Sequence, residues 1–222
     1  MKRSFSPTSR MLMISIAFSL SLIAVRFWYS DTFAYRFYAW NIFLAVIPYV
    51  ASVWLRRSDA FRFKEGALLF LWLLFFPNAP YLITDLFHYE ERPPVPFWYD
   101  VLLVTSATWN GLVLAMASLM NVELFLTRYL RKIWVTVSIV FSMLLCSYGI
   151  YLGRFLRFNS WDILSDPAQL TYTSARHVLR PQQYPKLWVF TLLFTVFLLI
   201  IYYSLKTLHP DIEKLRTKKD PP

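Results

Sequence analysis

Six apolar stretches, near residues 11–28, 38–55, 67–89, 97–120, 133–153 and 187–205, constrain this chain more than anything else in it. Each is long enough to cross a hydrocarbon core of about 30 Å as a helix rising roughly 1.5 Å per residue. Backbone N–H and C=O groups in lipid must be satisfied internally, which leaves only helices and closed barrels. Stretches this long and continuously apolar select helices. Composition agrees, with 57% hydrophobic, 19% aromatic and 16% charged residues and a mean hydropathy of +0.43. The predicted fold is all-α: a polytopic bundle of six transmembrane helices forming one integral membrane domain over residues 1–222.

The first stretch follows Met1-Lys-Arg and looks like a signal peptide, but its apolar run of about 18 residues is long for one. Arg26, Phe27, Trp28 and Tyr29 follow it where a small-residue cleavage site belongs, so it reads as a retained helix. Basic residues set the orientation. The N-terminal tail, the segment from Arg56 to Lys64, the segment from Arg128 to Lys132 and the C-terminal tail hold 15 of the 23 Lys and Arg residues. Both termini are therefore expected in the cytoplasm. This asymmetry accounts for most of the net charge of +10, so no nucleic-acid partner is invoked. Trp28, Tyr29, Trp98, Tyr99 and Trp188 fall at expected outer ends; Trp54, Trp134, Tyr202 and Tyr203 fall at inner ends, as amphipathic rings should.

A single cysteine, Cys146, excludes intramolecular disulfides and multi-thiolate metal centres. The four glycines include no phosphate-cradling loop. Gly149 and Gly153 are spaced for close helix approach, within the chain or in a homodimer or partner contact, and Gly111 with Ala115 offers the same device.

The third stretch turns polar where a spanning helix has no reason to. Pro77, Asn78, Pro80, Tyr81, Asp85 and His88 interrupt it. Two prolines remove helical donors, so a bend near Pro77–Pro80 is expected, with Asn78 available to bond a freed carbonyl. If the helix continues, Asn78, Tyr81, Asp85 and His88 share an arc of roughly 80°. An ionisable group at bilayer depth costs about 2.5 kcal/mol or more facing lipid, so this stripe should face protein or a wet cavity. On the fifth span Ser147, Tyr151 and Arg154 fall within roughly 60° of one another, and Arg154 and Arg157 stand at its outer end. The pairing of Asp85 with Arg154 is the expected link, either as an interhelical lock or as part of a ligand site. Asn41, Asn110, Asp100 and Asp162 add polar groups towards the outer half, whereas the inner half reads as nearly all apolar.

The link Glu90-Glu-Arg-Pro-Pro-Val-Pro is stiff and non-helical. After Arg154, Ser160 can cap a short turn, and Asp166 before Pro167 is a good N-cap for a short interfacial helix near 167–179. Its basic end, with Arg176, His177 and Arg180, suits lipid phosphates. His88 and His177 with Asp85, Asp100 or Asp162 form the best metal donor set, but no histidine pair has ligand spacing, and no metal or other cofactor is expected.

The strings Asn41-Ile-Phe-Leu-Ala-Val-Ile-Pro, Phe76-Pro-Asn-Ala-Pro-Tyr-Leu-Ile-Thr-Asp-Leu-Phe-His and Tyr148-Gly-Ile-Tyr-Leu-Gly-Arg-Phe-Leu-Arg-Phe-Asn-Ser-Trp-Asp carry a resemblance over roughly residues 35–205. The chain resembles the bacterial membrane proteins of domain-of-unknown-function family 1361. That resemblance implies a multi-pass bacterial membrane protein and supplies no reaction, substrate or catalytic residue. The residues themselves point to an outward-facing polar pocket for an anionic lipid headgroup or small envelope metabolite. Its expected lining is Asn78, Tyr81, Asp85, His88, Asn110, Tyr151, Arg154, Arg157 and Asp162. Two other readings stay open: a structural subunit or assembly factor, and an envelope lipid- or glycan-modifying enzyme using His88 with Asp85.

Overall fold

The computed structural model describes residues 7–30, 35–88 and 93–208, for Phe87 and His88 the backbone only. Tyr89 to Arg92 and the tail after Leu208, with His209, lie outside the described residues. Nine α-helices run through the described residues: α1 (Pro7–Ser30), α2 (Arg36–Arg57), α3 (Phe63–Phe75), α4 (Asn78–Tyr81), α5 (Phe97–Leu126), α6 (Lys132–Leu156), α7 (Asp162–Ser165), α8 (Pro167–Leu179) and α9 (Pro185–Thr207). Turns of 3-10 helix cover Leu82–His88 and Pro181–Gln183, and the described residues contain no strand. Six helices are long and apolar enough to cross a membrane, the third formed by α3, α4 and the turns up to Leu86. The protein is an all-helical, multi-pass membrane protein.

The third span breaks where its prolines stand. α3 stops at Phe75, and the chain restarts as α4 at Asn78. Pro77 has no N–H to give the preceding turn, and Asn78 Nδ2 donates to the Phe75 carbonyl at 3.0 Å. From Leu82 the chain winds as 3-10 helix, with about three residues per turn. The stripe therefore splits. Positions 82, 85 and 88 fall in one row, while Asn78 and Tyr81 belong to the turn before.

Contacts group the chain into two units, residues 1–54 with 67–118 and residues 55–66 with 119–222. In the first unit α1 buries Leu12, Ser19 and Arg26, seven residues apart, the interval that keeps one face of a helix turned inward. Ser9 meets the Tyr49 hydroxyl on α2 at 2.9 Å, and Ser19 donates to Ser106 on α5 at 2.9 Å. Gly111 lets α5 close onto α4, because a Cβ there would stand 2.3 Å from the Ala79 carbonyl oxygen. Thr108 Oγ1 donates to the Leu82 carbonyl at 3.2 Å beside this contact. The small residue singled out on the fourth span thus packs within the chain.

In the second unit α6 and α9 pack together through Tyr151, Phe155, Phe190 and Phe194, whose rings lie 4.7–5.7 Å apart. α9 turns Leu187, Thr191, Thr195, Leu198, Tyr202 and Lys206 inward along one face. In the segment after α6 the expected cap at Ser160 is not found, since α7 starts after Trp161 with no side-chain cap bond, whereas the signals for α8 hold. Asp166 Oδ1 accepts from Gln169 N at 3.1 Å and Pro167 occupies the first turn, so α8 begins and ends at the expected residues.

Candidate functional site

The structure sorts the polar residues of the spans into internal pairs and one open groove. Arg26 and Asp100 form a bidentate pair, Nε to Oδ1 at 2.6 Å and Nη2 to Oδ2 at 3.0 Å, with both side chains 1% exposed. The Tyr35 ring lies 4.6 Å from the guanidinium carbon, adding a cation–π contact. Glu123 and Lys206 form a second buried pair, with Nζ 2.6 Å from each carboxylate oxygen. The Tyr202 hydroxyl donates to the same carboxylate. Arg56 donates at 3.1 Å to Oδ1 of Asn121, which precedes Glu123 on α5. Glu123, Lys206 and Tyr202 thus form a buried polar cluster where α5 and α9 end.

The predicted site residues fall in both units. Asn78, Tyr81, Asp85 and Asn110 belong to the first unit; Tyr151, Arg154, Arg157 and Asp162 belong to the second. Asp85 is 2% exposed, and its Oδ2 accepts from Asn41 Nδ2 at 3.1 Å. The His88 side chain lies outside the described residues. Asn110 is buried between α1 and α5, its Nδ2 reaching Ser19 Oγ at 2.7 Å and the Ser15 and Ser106 carbonyls at 3.1 Å. Its Oδ1 is buried without a hydrogen-bond partner among the described residues. An unpaired carbonyl-type oxygen is tolerated better than an unpaired N–H. Tyr151 packs against Phe155 and Phe190, and Arg154 is half-buried one turn further along α6.

Arg157 and Asp162 do come together. Arg157 closes α6 in the left-handed conformation, with φ of 62° and its backbone N–H bonded to the Leu152 carbonyl. This turn swings the chain back so that Arg157, Asp162, Asp166, Gln169 and Thr173 line an open groove of about 360 Å³. Asp162 is held there by two local bonds, from Asn159 N at 2.7 Å and from Ser165 Oγ at 3.1 Å. The Arg157 side chain makes no hydrogen bond or ion pair among the described residues. A guanidinium in that position can grip an oxyanion through two parallel N–H donors. Among the described residues no three His, Cys, Asp or Glu side chains gather as metal ligands.

A second constellation escaped the sequence reading of α8 as a purely superficial helix. His177 is only 3% exposed, and its Nδ1 shares a 2.9 Å hydrogen bond with the Tyr148 hydroxyl of α6. Trp188 Nε1 donates to the His177 carbonyl at 3.2 Å, and the Tyr184 ring meets the imidazole edge-on. The imidazole thus fastens α8 to α6 and α9. Burial lowers the His177 pKa below its ordinary value, and the neighbouring Arg176 charge lowers it further. A folded-state pKa below the unfolded one gives stability that is complete above about pH 6.5 and is lost as pH falls through the folded value. The protection of α8 amides, taken relative to the intrinsic base-catalysed exchange rate, should fall as pH is lowered from about 7.5 to about 5, and His177→Gln should flatten that fall; an equal fall in the variant would assign the effect elsewhere.

No curated protein and no solved structure matches the chain. A family model does match, over residues 40–201, from the second span through most of the last. The chain belongs to that family, described as a protein of unknown function (DUF1361).

Proposed function

We propose that this protein sits in a bacterial cytoplasmic membrane with both termini inside, and that its outer end binds an anionic headgroup, from a lipid or a small envelope metabolite. The observation that carries this reading is the groove at the end of α6. Arg157 is the anion anchor there, with Gln169 and Thr173 as polar walls. Its setting supports lipid as the source, because Leu156 in its lining and the preceding Phe155 are exposed at the end of a span. Arg176 and Arg180 on the same segment favour a negatively charged surface. Native mass spectrometry of gently extracted protein should show a retained phosphate-bearing species. Arg157→Gln should reduce that retention about tenfold, the loss of roughly 1.4 kcal/mol expected for a charge-assisted contact. Unchanged retention in the variant would sink the reading.

A structural subunit or assembly factor is the second reading, favoured by the two buried ion pairs that are satisfied within their own units. Its partner, or a second copy, would dock on the half-buried Gly149 and Gly153 of α6. A co-purifying chain lost on Gly153→Leu, with no ligand retained, would favour it over headgroup binding.

A further inference from the structure

The charges around the groove are not those of a simple anion site. One guanidinium, from Arg157, faces two carboxylates, from Asp162 and Asp166, so the lining carries a net charge of one negative. A phosphate monoester dianion placed there would meet Arg157 and be repelled twice. A phosphodiester that carries its own ammonium group has no such conflict. Its single negative charge meets the guanidinium and its positive charge meets the carboxylates.

We infer that the groove recognises a phosphodiester bearing a primary amine, the chemistry of an aminophospholipid headgroup; this rests on the headgroup reading above, with the phosphodiester as the anionic group that Arg157 holds. The carboxylates are fixed in place before any ligand arrives. Asp162 is locked by Asn159 N and Ser165 Oγ, and Asp166 by its cap bond to Gln169 N. Each of these oxygens takes one bond and keeps a lone pair, and Asp166 Oδ2 takes none among the described residues. An ammonium brings three donors, which matches the acceptors left over. Pre-fixed acceptors spare the ordering cost that mobile surface carboxylates would incur on binding. The groove volume lies at the small end of ligand sites, about 300–1,000 Å³, which suits a headgroup rather than a polymerised glycan. The exposed Leu156 in its lining gives acyl chains a place to run. The two carboxylates also act against the competitor: a phosphodiester with a hydroxyl headgroup gains Arg157 and nothing from them.

The test is retention of phosphatidylethanolamine against phosphatidylglycerol on the full-length protein, read by native mass spectrometry from mixed micelles. Soluble glycerophosphoethanolamine is added in a parallel arm. The wild type should prefer phosphatidylethanolamine about fivefold, the factor equivalent to roughly 1 kcal/mol from an exposed charge pair. Asp162→Asn with Asp166→Asn should abolish or invert that preference. Asparagine is as good an N-cap as aspartate, so α8 keeps its helix, which circular dichroism checks. Arg157→Gln should lose both lipids. Displacement by glycerophosphoethanolamine would support recognition of the amine-bearing headgroup, and its failure to displace at concentrations far above the lipid's would count against a headgroup site. Equal retention of the two lipids, unaltered by the asparagine changes but lost in Arg157→Gln, would overturn the amine and leave the anionic headgroup reading standing. Retention of both lipids by Arg157→Gln would overturn the two together.

Discussion

Arg26→Met should lower the stability of the folded protein by about 3–5 kcal/mol, the range found when one partner of a buried ion pair is removed. Asp100 would be left 1% exposed with no guanidinium to answer it. The carboxylate must then take up a proton or draw in water, and the Tyr35 ring loses the cation it covers. Against a total of about 5–15 kcal/mol, such a loss decides whether the chain stays folded on extraction. Thermal unfolding in detergent measures it. The double variant Arg26→Met/Asp100→Leu should recover most of the loss, since exchanging a whole buried pair for apolar side chains is often close to neutral. Arg26→Lys should fall between, because an ammonium cannot reproduce the two-pronged contact. If Arg26→Met unfolds with the wild type, the pair contributes nothing and the account of α1 is wrong.

Gly111→Ala is expected to be nearly as harmful despite adding one methyl group. That carbon would lie 2.3 Å from the Ala79 carbonyl oxygen and 2.7 Å from Leu82 Cδ1. The Leu82 side chain can turn away, but the backbone oxygen can move only with α4. Separating α4 from α5 also strains the hydrogen bond from Thr108 to the Leu82 carbonyl. Overpacking of this kind costs about 1–3 kcal/mol, and a backbone contact belongs at the upper end. Adding Leu82→Ala to Gly111→Ala should therefore not rescue the protein. Rescue would show that the side chain, not the backbone, sets the limit.

Which features were legible in the sequence follows from how each announces itself. The six spans are written in continuous hydropathy. The break at Pro77–Pro80 and the start of α8 at Asp166-Pro167 are written in local stereochemistry, so both stand where they were expected. The pairs between helices are not written locally. Arg26 reads as the flank of a first span ending near 28, and Asp100 as an ordinary acid in a first helical turn. Nothing in either neighbourhood points across 74 residues to the other. Glu123 and Lys206 were hidden by helix boundaries. Hydropathy alone ends the fourth span near 120 and the last near 205, which leaves both charges in solvent-facing loops. α5 runs on to Leu126 and α9 to Thr207, and those extra residues bring the charges inside. The buried face of α8 was available in principle, since Leu170, Thr173, Ser174 and His177 recur at helical spacing. The arc from Asn78 to His88 depended on an unbroken α-helix, and the change to 3-10 winding at Leu82 removes that premise.

The pairing of α1 with α5 also sets a timetable for biosynthesis. Arg26 is made 74 residues before Asp100. At about 5–20 residues per second, its partner is missing for roughly 4–15 seconds. During that interval α1 carries a charge whose counter-ion is still unsynthesised. The first span then cannot reach its final seat in order of emergence. It must wait at the interface, or beside the insertion machinery, until the fourth span arrives. Fusions truncated after α1 or α2 should accordingly be held or degraded, whereas fusions extending past α5 should accumulate.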